Sequence, residues 1–120
     1  VAERAAGAET ERKPTLDVAG PMTVKEAERL VFHAARSHPQ FEAAQRTWME
    51  EDRSYFVRWK PDTTDRQLMV IALVHIYALP EMASRVTLLP FDQAAEPQIQ
   101  AALEQYVQIL SAELESEGFA

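Results

Sequence analysis

Apolar positions fall along this chain in three patterns. The first is Leu68–Leu79 (LMVIALVHIYAL), apolar almost without a break, where His75 and Tyr77 alone carry a polar side-chain atom. A run of this length is long for one buried strand and short for a membrane span, which takes about 20 residues. Just upstream, Thr64-Asp65-Arg66-Gln67 has the form of a capping box, in which a threonine hydroxyl and a glutamine side chain satisfy each other's backbone amides. Pro80 disfavours the α region for Leu79 and so ends a helix there. These signals predict a helix over Asp65–Leu79, apolar nearly all round and therefore central. The β-branched Val70, Ile71, Val74 and Ile76 argue on propensity for a strand.

The second pattern is amphipathic. Thr23 and Glu26 form another capping box, and Val24, Ala27, Leu30, Val31, Ala34 and Ala35 follow at steps of three and four, the mark of a helix with one apolar face. Ile99, Ala102, Leu103, Tyr106, Val107, Leu110 and Leu114 give a cleaner stripe, with Asp92 placed to cap, Pro97 fitting a first turn and Gly118 ending it.

The third pattern fits two periods at once. Phe41, Ala44, Gln45, Trp48, Met49, Asp52, Tyr55, Phe56 and Trp59 fall at helical spacing, which predicts one long second helix over Pro39–Lys60. From Ser54 the same residues alternate, with Tyr55, Val57 and Trp59 on one side and Phe56, Arg58 and Lys60 on the other, as a strand would. Such a strand would pair with Arg85–Leu89. Pro80–Arg85 reads as a short helical turn and Val86–Phe91 as an extended link. The sequence thus predicts a mainly α fold: a compact four-helix bundle-like domain around a buried central helix (65–79), with minor β pairing of 54–59 with 85–89 as the alternative. Residues 1–22, broken by Gly7, Pro14, Gly20 and Pro21, read as a flexible N-terminal arm that Leu16 and Val18 could dock, and residues 23–120 as a single helical domain.

Composition changes this picture little and charge changes it more. At 120 residues with 47% hydrophobic content the chain can bury a core unaided, and without cysteine it has no disulfide, thiolate ligand or cysteine nucleophile. Its first residues have no apolar core of a signal peptide, which points to the cytoplasm, and no stretch is long enough for a membrane span. The net charge of −7 is concentrated in residues 61–120, where Arg66 and Arg85 face nine acids. That balance disfavours general binding to phosphate backbones.

Candidate chemistry is sparse. His33, His38 and His75 stand in no metal-binding spacing, and there is no nucleophile elbow or Gly-rich phosphate loop, so neither a catalytic residue nor a cofactor is assigned. His75 reads as a buried polar residue able to act as a pH switch, or, with Tyr77, as the centre of an enzyme pocket. The strongest candidate surface is the second helix, where Arg46, Arg53, Arg58 and Lys60 flank Trp48, Tyr55, Phe56 and Trp59; Trp, Tyr and Arg dominate binding hot spots. The last helix is its acidic counterpart. Glu104, Glu113, Glu115 and Glu117 lie on it, the last three against its own dipole, which calls for a basic neighbour in the same chain or in a second copy. The expected function is therefore protein binding, as an adaptor, accessory subunit or immunity- or inhibitor-type protein. Its partner would be another protein or a second copy of itself, as a homodimer or a subunit of a complex. The alternative is a nucleic-acid-associated regulator using Arg29, Arg36, Arg46, Arg53, Arg58 and Lys60.

Overall fold

The computed structural model describes residues 15–49, 52–61, 69–91 and 97–120, with the side chains of residues 47–49 excepted. It is a five-stranded antiparallel sheet with two helices, not a helical bundle. In chain order the elements are β1 (Leu16–Gly20), α1 (Val24–Arg36), β2 (Phe41–Met49), β3 (Asp52–Trp59), β4 (Met69–Leu79), β5 (Ala83–Pro90) and α2 (Pro97–Ser116). The sheet order is β1-β5-β4-β3-β2.

The central apolar run is β4, not a helix. It lies between β3 and β5, packed under helices on one face and half-buried on the other, so both sets of alternating positions are apolar and the run reads as continuous. Here β-branched propensity wins, and the Thr64 capping box lies outside the described residues. Pro80 does not stop a helix; it opens a turn in which Ala83 N–H donates to the Pro80 carbonyl (3.4 Å) and Glu81 and Met82 have φ of 63° and 60°. Two successive left-handed residues make a type I′ turn, whose twist matches the strands it joins.

The proposed second helix over Pro39–Lys60 is the β2–β3 hairpin. Met49 pairs with Asp52, which leaves two residues to connect the strands. The strand alternative for 54–59 has the right type but the wrong partner, because β4 separates β3 from β5. Of residues 1–22, Leu16–Gly20 is the edge strand β1, with Leu16 buried. Residues 1–14 lie outside the described residues, as does the Asp92 cap.

Both amphipathic helices form as their spacing requires. Thr23 caps α1 by accepting from the Glu26 amide (3.3 Å). Gly118, at φ 94°, ends α2 in a Schellman pattern: Gly118 N–H donates to the Glu115 carbonyl, and Phe119 N–H to that of Leu114. The helices pack on one face of the sheet. Val31 and Ala34 of α1, and Leu110 and Leu114 of α2, meet Tyr55, Val57, Val74, Ile76, Val86 and Leu88 in the core. Tyr106 is fully buried and donates to the Val31 carbonyl (3.0 Å), tying the helices together. Beyond α2 the chain returns to the sheet. Ala120 exchanges two backbone hydrogen bonds with Ala19 (3.1 and 3.0 Å), and the Phe119 ring lies against Gly20. No described helix is long and apolar enough to cross a membrane.

Candidate functional site

Strand alternation divides the expected basic-aromatic surface between the two faces of the sheet. Arg53, Tyr55 and Trp59 turn toward the helices. Arg53 pairs with Glu28 of α1, with both side chains about four-fifths buried. Tyr55 is fully buried beneath Phe32, ring centroids 5.4 Å apart and edge-on. Burial pushes its phenol well above the usual range, and Glu28 adds to the shift. Trp59 is 7% exposed and belongs to the core. Trp48 sits opposite Arg53 on β2, and its side chain lies outside the described residues. Lys60 follows β3 and is held by its backbone to Gln40.

Arg46, Phe56 and Arg58 turn to the opposite face, which no described helix covers. The pairing register builds that face in rows across the strands. Ala44, Phe56, Leu73 and Leu89 stand directly opposite one another on β2, β3, β4 and β5. Phe91 extends this apolar row edge-on to Phe56, at 6.1 Å. All five side chains are half-buried. The next row is polar: Ser54, His75, Thr87 and Asp17. Beyond it stand Asp52, Tyr77 and Arg85. A shallow hollow of about 510 Å³ opens over this part of the face, lined by Asp17, Tyr77, Leu79, Arg85, Thr87 and Leu89.

Charges on this face are matched between neighbouring strands. Arg85 makes a two-pronged contact to Asp17, Nε to Oδ1 and a terminal nitrogen to Oδ2, both 2.6 Å. Those hydrogen bonds, with the charge of Arg85, hold the Asp17 carboxyl below its usual range, against the opposing effect of desolvation. Arg58 pairs with Glu42 at 3.2 Å. His75, which the all-apolar helix would have buried, is a half-buried residue here: its Nε2 pairs with Asp52 and its ring stacks on Tyr77 at 4.1 Å. Arg46 has no acidic partner among the described residues, and its guanidinium lies 5.7 Å over the Phe56 ring.

The remaining expected residues lie elsewhere. Glu104, Glu115 and Glu117 are exposed on or just beyond α2. Glu113 pairs with His33 of α1. The cations of the nucleic-acid alternative are split. Arg29 and Arg36 line a hollow of about 790 Å³ beside α1, with Arg53 and Glu28, while Arg46 and Arg58 lie across the sheet. Among the described residues no three His, Asp or Glu side chains converge as metal ligands.

Sequence reasoning missed Ala44, Leu73, Leu89 and Phe91. Each was visible as apolar, but a row across four strands appears only once their registers are known. The chain matches no protein-family model and no curated protein sequence.

Proposed function

We infer that this chain is a protein-binding module, an adaptor or accessory subunit, whose contact surface is the helix-free face of the sheet and whose partner supplies an amphipathic helix. The observation that carries this reading is the apolar row Ala44–Phe56–Leu73–Leu89 with Phe91, half-buried under no described element. Four strands at about 4.8 Å spacing present a strip of roughly 15–20 Å, the length of about three turns of helix. The same sheet already takes two amphipathic helices on its other face.

Charge supports a protein partner over a nucleic acid. Arg58, Arg85 and His75 are each paired with a carboxylate of the neighbouring strand, so the cations of this face are largely spent within the chain. An apolar centre rimmed by matched charges is the usual anatomy of a protein interface.

The test is affinity capture from the native source followed by cross-linking and mass spectrometry. The expected partner contacts Phe56, Leu73 and Leu89, is lost with Phe56→Glu and is retained with Glu104→Lys on α2, both variants being checked for folding by circular dichroism. Contacts confined to α1 or α2, or a partner indifferent to Phe56→Glu, would overturn the reading.

A further inference from the structure

The two edges of the sheet are treated differently. The β1 edge is closed by the chain itself, through the paired hydrogen bonds of Ala19 and Ala120. The β2 edge is the other end of the sheet, and no described residue pairs with it from outside. Lys60 N–H donates to the Gln40 carbonyl (3.0 Å), so Gln40 is turned toward β3. In an antiparallel ladder, orientation alternates, so the main-chain groups of Glu42 and Ala44 also face β3 and those of Ala43 and Gln45 face outward. An unpaired edge of this kind is a template for another strand.

We propose that two copies of this chain join through β2, antiparallel about a two-fold axis perpendicular to the sheet at Ala44, to form one continuous ten-stranded sheet. The second copy is favoured by the charge pattern of the edge. About that axis Ala43 stands opposite Gln45 of the second copy, and the outward groups of these two residues exchange both hydrogen bonds, twice over by symmetry. Glu42 then stands opposite Arg46 of the second copy, again twice. Both side chains are on the helix-free face, Glu42 beside Arg58 and Arg46 beside Phe56. Arg46 has no acidic partner within its own chain among the described residues, and the two-fold arrangement supplies one. A shift of the axis to Glu42 sets like charges against each other, and a shift to Ala43 sets Glu42 against Ala44 and Arg46 against Gln40, so neither charge meets its opposite; opposite charges across a strand pair stabilise it and like charges weaken it. Ala43 and Ala44 leave room for the second backbone. The register shift between Gln45 and Thr47 bends β2 away beyond Arg46, which limits the pairing to residues 42–46. The axis passes through Ala44, so the pairing sets two apolar rows end to end on one face; it is held by the backbone and charges of the edge and does not require a helix to bind there.

Charge reversal tests it. Sedimentation equilibrium at low salt should show a dimer whose dissociation constant rises about tenfold or more in Glu42→Arg and in Arg46→Glu, each of which places like charges across the axis. The double variant Glu42→Arg/Arg46→Glu restores the opposition and should recover the dimer. Ala43→Pro removes an outward N–H without touching the β3 ladder, so it should yield a folded monomer by circular dichroism. A wild-type chain that stays monomeric to millimolar concentration overturns the proposal. So does a dimer indifferent to the single reversals, or one that the double reversal fails to restore.

Discussion

The contact between Gly20 and Phe119 allows a sharp test of how the C-terminus is held. A Cβ built on Gly20 would lie 2.5, 2.6 and 2.8 Å from Cγ, Cδ1 and Cδ2 of Phe119, well inside contact distance. Gly20 is a buried strand residue without a left-handed backbone, so its conformation admits alanine and the first obstacle a methyl group meets is the ring. The easiest response to Gly20→Ala is for the ring to leave, because Phe119 lies beyond α2 and outside the strands of the sheet. The cost of Gly20→Ala is therefore bounded by that of losing the ring altogether. Phe119 is 3% exposed, and truncating such a phenylalanine costs about 3–5 kcal/mol. We expect about 3 kcal/mol for Phe119→Ala and about 1–3 kcal/mol for Gly20→Ala. The double variant should cost no more than Phe119→Ala alone, and as much as about 0.5 kcal/mol less, since alanine restricts the unfolded chain more than glycine. Urea unfolding resolves this. With a slope of about 1.5 kcal/mol per molar, the Phe119→Ala midpoint falls by about 2 M and the double variant matches it. Additive losses in the double variant would refute the reasoning, because they would mean that the methyl group added at Gly20 strikes something other than the ring.

Two further outcomes follow from the geometry. Replacing Glu81-Met82 by Asn-Gly suits a turn with both central residues left-handed and should stabilise the chain by about 1–2 kcal/mol; an unchanged or lower melting temperature would contradict the turn assignment. Asp17, whose pKa is lowered by Arg85, contributes stability above its unfolded value of about 3.9 and loses it as pH falls through the folded value. Thermal melts of Asp17→Asn should therefore lie below wild type at neutral pH and converge with it in acid, as the carboxyl protonates below its unfolded value; curves that stay parallel would count against the pairing.

What was legible in the sequence depended on where each signal lay. The Thr23 cap, the faces of both helices and the Gly118 stop are local, each set by residues within a turn of one another, and all formed as read. The hairpins were hidden by their turns. Glu81-Met82 lacks the Gly or Asn that usually marks a type I′ turn, and Glu50-Glu51 carries no such mark either. Adjacent large apolar residues deepened the ambiguity. Tyr55 and Phe56 satisfy a helical stripe together, yet as strand neighbours they serve opposite faces, one in the core and one on the open surface. The same division explains the site. Arg46, Phe56 and Arg58 share the open face, whereas Arg53, Tyr55 and Trp59 join them only under a helical period that the backbone does not follow. Leu73 and Leu89 joined through strand register, which no single-strand pattern encodes.

The clasp between β1 and the last two residues also dictates the order of assembly. The first strand of the described chain finds its neighbour in the last strand, Leu16 opposite Leu88, and its outer edge is sealed by Ala120. During synthesis from the N-terminus, β2, β3, β4 and β5 can zip into hairpins as they emerge, but β1 must wait until all four have been made. Loops of this length are slow to close, so β1 should be the last strand to dock and its pairing the slowest event in folding. Until then one flank of β5 stands bare, and for a nascent chain that interval is the period of greatest exposure to aggregation.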